Sequence, residues 1–173
     1  MLKSYIKSYK DFPVKGVDFK DTASLCASAE GFNITNTEFK RKLYQYRNVD
    51  KIVGIDARGF PFAAVYASNS GTALILARKE KKLPGDVVGM KFELEYGKAS
   101  LEIQKDAISE GDNVIIFDDL MATGGTMNAA VDIVQHMGGN VIAVACVIDL
   151  TFLSGAQKIR DKGIPFYSLV EYK

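Results

Sequence analysis

Two adjacent acids, Asp118 and Asp119, close the apolar run 114–117, and the small-residue stretch Ala122-Thr123-Gly124-Gly125-Thr126 follows almost at once. Carboxylates accept hydrogen bonds from sugar hydroxyls, whereas successive backbone N–H groups at a helix start favour phosphate. Small side chains let the anion come close to the backbone. Acids beside an anion site conflict unless the ligand carries a neutral polyol about one sugar length from its phosphate, as ribose 5-phosphate does. A lone acid pair would only start a turn, with Thr123 or Thr126 capping the helix. The complete run points to a ligand. Gly125 is followed by Thr126-Met127 rather than Lys-Ser/Thr, which excludes a P-loop, and Leu120 stands where a paired-aspartate phosphatase needs its second acid.

Such a turn needs a strand before it and a helix after it. Continuous apolar runs at 52–55, 73–76, 114–117, 141–148 and 166–170 read as strands buried on both faces. Between them, Phe39, Leu43 and Tyr46 share one helical face, as do Met127, Val131 and Val134 in a segment closed by Gly138-Gly139. Alternating strands and helices predict an α/β domain with a mostly parallel sheet, whose ligands bind beyond the carboxyl ends of its strands. Asp118 and Asp119 fall at such an end as exposed carboxylates. Two stretches break the rhythm. Residues 11–21, with Pro13 and Gly16, read as an irregular excursion outside the sheet, and residues 81–99, with Pro84-Gly85, as a hairpin or a mobile loop.

The 173 residues fit one domain, 1–173, and 47% hydrophobic with 25% charged residues is globular usage. A net charge of +1, with mixed signs everywhere except the basic cluster 78–82, argues against a nucleic-acid-binding face. The longest apolar run, 141–148, is too short to cross a bilayer, and no membrane partner is expected. Cys26 and Cys146 lie among apolar neighbours and read as buried free thiols, in keeping with a cytoplasmic location. His136 is the lone histidine, near the far end of the helix after the glycines, and reads as a surface or capping residue, which leaves no Ser-His-acid or Cys-His catalyst.

Five segments, DFPVKGVDFKD, GIDARGFPF, ARKEKKLPG, LEYGKASLEIQKDAI and VIIFDDLMATGGTMNAA, follow one another between residues 11 and 130. In this order and spacing they resemble the type I phosphoribosyltransferases, and most closely the branch that uses adenine. The resemblance implies a central, mostly parallel sheet flanked by helices, an N-terminal hood over about residues 1–32, a flexible lid loop over about 81–99, and a homodimer. It also implies a reaction of purine salvage: the 5-phosphoribosyl group passes from phosphoribosyl diphosphate to adenine N9, giving AMP and diphosphate. Mg²⁺ is the implied cofactor, bound mainly through substrate and water with no direct protein ligand.

The same resemblance distributes roles. Arg58, in the diphosphate loop, and Glu95, which would manage the proton on the adenine imidazole ring, are the catalytic candidates. Phosphoribosyl diphosphate would be held by Asp118, Asp119, Ala122, Thr123, Gly124, Gly125 and Thr126, with Arg58, Arg78, Lys82 and the lid residue Tyr96. Lys79 and Lys81 read as solvating charges. Val17, Asp18, Phe19, Lys20 and Leu120 are the adenine-side candidates, Phe19 and Leu120 as a sandwich and residues 17–20 through backbone groups. Asp18 replaces the apolar residue, and Lys20 the arginine, commoner at these positions. A cis peptide is expected at Asp56-Ala57. Two other readings stay open: a transferase for another 6-substituted purine, and a nucleotide-sensing regulator that keeps the phosphate turn only to bind an effector. The second lacks any visible DNA-reading module or basic RNA-binding face.

Overall fold

The computed structural model describes residues 2–93 and 98–173. After a 3-10 turn at Leu2–Tyr5, strands β1 (Lys7–Lys10) and β2 (Asp18–Asp21) pair antiparallel, with Tyr9 opposite Phe19. Residues 11–21 are therefore not irregular throughout. Positive φ at Asp11 and Gly16 turns the chain, and extended backbone resumes at Asp18 because β1 offers it a partner. Helix α1 (Thr22–Cys26) starts at the next residue, capped by the Asp21 carboxylate, which accepts from the N–H groups of Ala23 and Ser24. Phe19 and Thr22 thus sit on one short, tightly tied segment.

Helix α2 (Ala29–Lys42) begins at the Ser28 cap and ends at Leu43, earlier than the expected apolar face through Tyr46. Phe39 and Leu43 are fully buried. Tyr46 lies past the helix, with its hydroxyl 3.0 Å from that of Tyr167.

The remaining chain builds a seven-stranded sheet. In order come β3 (Lys51–Ile55), α3 (Phe60–Ser70), β4 (Ala73–Lys79), β5 (Val87–Glu93), β6 (Lys98–Gln104), β7 (Asn113–Met121), α4 (Gly125–His136), β8 (Asn140–Leu150), α5 (Gly155–Asp161) and β9 (Phe166–Tyr172). The spatial order is β5-β6-β4-β3-β7-β8-β9. Strands β4, β3, β7, β8 and β9 run parallel, while β5 and β6 form an antiparallel hairpin on the β4 edge. Within and beyond residues 81–99, β5 and β6 pair antiparallel, with Val87 opposite Gln104, while residues 94–97 lie outside the described residues.

Apolar runs without alternation follow from helices covering both faces. Val53, Ile55, Val114 and Ile116 join α4 and α5 in one core, whereas Ile52, Ile115 and Phe117 join α2 and α3 in the other. The Phe117 ring meets Phe39 edge-on, with centroids 5.2 Å apart. Burying one such ring stabilises the fold by roughly 1.5–3 kcal/mol, which fixes the β7 backbone just before the two acids. Strand β3 continues to β4 on one side, and β7 opens the other half of the sheet. The order reverses between β3 and β7, so their carboxyl ends diverge and leave a crevice.

Candidate active site

A cleft of about 300 Å³ occupies that crevice. Ile55, Asp56 and Arg58 line it from the end of β3, and residues 118–127 from β7 into α4. Lys79 and the hairpin residues Phe92, Ala99, Ser100 and Leu101 complete its wall. The turn and acid candidates named from sequence, Asp118, Asp119, Leu120, Ala122, Thr123, Gly124, Gly125 and Thr126, all face this one space.

The acids differ from each other, and neither is a freely exposed strand end. Asp119 is only 2% exposed. Its Oδ2 accepts from the Thr22 hydroxyl at 2.7 Å and lies 3.1 Å from the Arg58 Nε. Adjacent elements close over it because α1 delivers Thr22 and the β3 loop delivers Arg58 to the same carboxylate. Half-buried Asp118 accepts the Asp119 N–H at 2.8 Å. Burial pushes the Asp118 carboxyl well above its ordinary range, and the neighbouring Asp119 charge pushes it further, against the pull of that N–H and of Arg58.

The turn after β7 is shaped by two glycines. Gly124 has φ +83°, a left-handed value that a side chain would strain. Gly155, at the start of α5, packs so closely that a Cβ there would sit 2.1 Å from the Ala122 carbonyl oxygen and 2.7 Å from the Gly124 nitrogen. The Asn128 amide donates to the Gly124 carbonyl at 2.8 Å and holds the turn from the other side. No side chain caps α4, and Thr123 and Thr126 line the cleft instead. The first N–H groups of α4 are therefore left without a side-chain acceptor.

Arg58 follows the cis Asp56–Ala57 peptide, and its guanidinium lies 5.2 Å from the Phe19 ring centroid. Arg78 braces this loop: its Nε is 3.2 Å from Asp56 Oδ2, and its Nη1 donates to the Lys82 carbonyl at 3.2 Å. Arg78 and Lys82 are not among the lining residues, whereas Lys79, read as a solvating charge, is. Val17, Asp18, Phe19 and Lys20 also lie outside the lining set. The Lys20 ammonium bonds Asp18 at 2.8 Å and Ser8 at 2.9 Å and sits 4.5 Å from the Tyr172 ring centroid, so these side chains tie the N-terminal strands to β9. Phe19 approaches the cleft through Arg58. Glu95 and Tyr96 lie outside the described residues.

Thr22, Asn128 and Gly155 were not singled out from sequence. Thr22 is 97 residues from its partner, and Gly155 acts by a close approach between elements, so no local spacing marks either. His136 is the exposed last residue of α4, Cys146 is buried and Cys26 half-buried.

Residues 29–170 match the phosphoribosyl transferase domain. The adenine phosphoribosyltransferase of Mycoplasma mobile is 44% identical over 99% of this chain and 96% of its own length. The crystal structure of adenine phosphoribosyltransferase from Thermoanaerobacter pseudethanolicus superposes with a TM-score of 0.93 at 40% identity, covering 99% of this chain and 98% of that one. That of the Saccharomyces cerevisiae enzyme, complexed with D-2,5-dideoxy-2,5-imino-altritol 1,6-bisphosphate and adenine, superposes with a TM-score of 0.91 at 36% identity over 97% and 96% of the two chains. An uncapped helix start after a small-residue turn, an acid pair beside it and full-length similarity of this degree have one common explanation: the chain belongs to the phosphoribosyltransferase family, on its adenine phosphoribosyltransferase branch.

Proposed function

We propose that this cleft joins adenine N9 to C1′ of phosphoribosyl diphosphate, forming AMP and releasing diphosphate, a purine-salvage reaction. The observation that carries the reading is the uncapped start of α4 beside the Asp118-Asp119 pair in one cleft. That arrangement suits a 5-phosphate on the turn and ribose hydroxyls on the acids. The bond from C1′ to the diphosphate breaks as the bond to N9 forms, so positive charge develops on the sugar and negative charge on the leaving group. Arg58 and Lys79 reach the cleft from the β3 and β4 ends, where they would stabilise the departing diphosphate. Arg78 holds the Arg58 loop through Asp56, and Lys82 is kept as a candidate for the same anion. Phe19 and Leu120 would flank the purine, with Val17, Asp18 and Lys20 contributing backbone groups to its edge. Glu95 would manage the imidazole proton, and Tyr96 would help exclude water that could otherwise attack C1′.

The hard carboxylate oxygens of Asp118 and Asp119 fit a hydrated Mg²⁺, and among the described residues no group of three or more His, Cys, Asp or Glu could hold a metal. The two acids would hold the water shell of an ion carried mainly by the diphosphate. When bound, that ion neutralises charge on the leaving group. A homodimer in the cytoplasm is the proposed working form; among the described residues no helix is long and apolar enough to cross a membrane. The decisive test is a product assay with adenine, hypoxanthine, guanine and xanthine, each with phosphoribosyl diphosphate and Mg²⁺. AMP should form preferentially, and a preference for any other base would overturn the adenine assignment.

A further inference from the structure

We infer that Thr22 is a positioning residue for this reaction, which rests on the function proposed above: its hydroxyl orients Asp119 toward the ribose and couples that acid to the segment carrying Phe19. Thr22 is 2% exposed, as is Asp119, so the 2.7 Å bond between them is made away from water. A hydroxyl buried in this way needs a partner, and a carboxylate at the end of a strand needs something to stop its rotation. Oδ2 is held from two elements, by a hydrogen bond from Thr22 of α1 and by an ion pair with Arg58 of the β3 loop. Asp119 lines the cleft with its plane thereby set.

The second half of the inference concerns what Thr22 is attached to. It directly follows β2, whose Phe19 ring receives the Arg58 guanidinium at 5.2 Å. Asp119, Thr22, Phe19 and Arg58 therefore form a closed circuit: Phe19 and Thr22 are joined by three peptide bonds, Thr22 hydrogen-bonds Asp119, Asp119 pairs with Arg58, and Arg58 lies over the Phe19 ring. A base that shifts Phe19 must shift Thr22 or Arg58, and either movement turns the acid. Coupling of this kind is reciprocal, so the sugar side would bias the base side equally.

The test uses Thr22→Val, which keeps the branched shape and removes the hydroxyl, with Thr22→Ser, which keeps the hydroxyl and removes the methyl. Steady-state kinetics would be measured with adenine and phosphoribosyl diphosphate, alongside thermal melts. Thr22→Val should raise the KM for phosphoribosyl diphosphate by about tenfold, the usual consequence of losing a hydrogen bond to a charged group, and that for adenine by less than about threefold. The dependence of each KM on the other substrate should weaken at the same time. Thr22→Ser should restore wild-type values within about threefold. A wild type that makes no AMP overturns the function and this role with it. An active wild type overturns this role alone if Thr22→Val matches it, if Val and Ser behave alike, or if both KM values rise together with a fall in melting temperature.

Discussion

Arg58 Nε and Asp119 Oδ2 stand 3.1 Å apart, joining the loop after β3 to the end of β7 across the mouth of the cleft. Asp119 is buried, whereas the Arg58 side chain is 48% exposed, so water screens the pair from one side only. The contact matters more for placing two functional groups than for holding the fold together.

Arg58→Gln should therefore separate activity from stability. Thr22 still donates to Asp119, and the unfolding free energy should change by no more than about 1 kcal/mol. The kcat/KM for phosphoribosyl diphosphate should fall by at least about tenfold if, as proposed, Arg58 faces the leaving group. Chemical denaturation and initial-rate kinetics on the same preparation measure both; a loss of stability without a loss of rate would make Arg58 structural.

Asp118 links the site to pH. Its carboxyl keeps its proton to higher pH in the fold than in the unfolded chain, whose reference is 3.8. Above that reference the unfolded state releases the proton first, so stability falls as pH rises toward the folded value. Asp118→Asn should melt higher than wild type at neutral pH, by roughly 2–4 °C for each kcal/mol recovered, and the difference should shrink below pH 4. Turnover should drop about tenfold to a hundredfold if Asp118 accepts from the ribose as proposed. Parallel melting curves across pH would refute the linkage.

Gly155→Ala should distort the turn after β7 from outside the cleft. Its methyl would need the space 2.1 Å from the Ala122 carbonyl, so the turn or α5 must move. Gly124→Val strains the left-handed position directly. Both should raise the KM for phosphoribosyl diphosphate more than that for adenine. Equal effects on the two substrates would mean general damage to the domain.

Glu95→Gln tests proton handling. The amide keeps much of the hydrogen-bonding shape but cannot take up the proton, so the single-turnover rate should fall on the order of 10²–10⁴-fold with little change in substrate binding. Tyr96→Phe should do less, since only a hydroxyl is removed. An unchanged single-turnover rate in Glu95→Gln would leave catalysis to the ribose, diphosphate and metal contacts.

The strand cores at 52–55 and 114–117, the acid pair and the small-residue turn were legible along the chain, because each is a local pattern of residue type and period, although β7 runs on to Met121 and carries both acids within the strand. Burial on both faces demands continuous apolarity, and a backbone cradle demands small residues, so neither needs a distant partner to be recognised. Helix α2 ends at Lys42, and Tyr46, expected on its apolar face, lies beyond it with its hydroxyl against Tyr167 of β9. Arg78 and Lys79 are neighbours of one charge type, yet strand pleating and the Asp56 carboxylate send Arg78 to brace a loop while Lys79 lines the cleft. Only the tertiary structure decided that Asp119 is buried, that Thr22 and Arg58 share it, and that Gly155 supports the turn. These relations join residues tens of positions apart through the sheet, and sequence spacing carries no record of which strand ends the fold brings together.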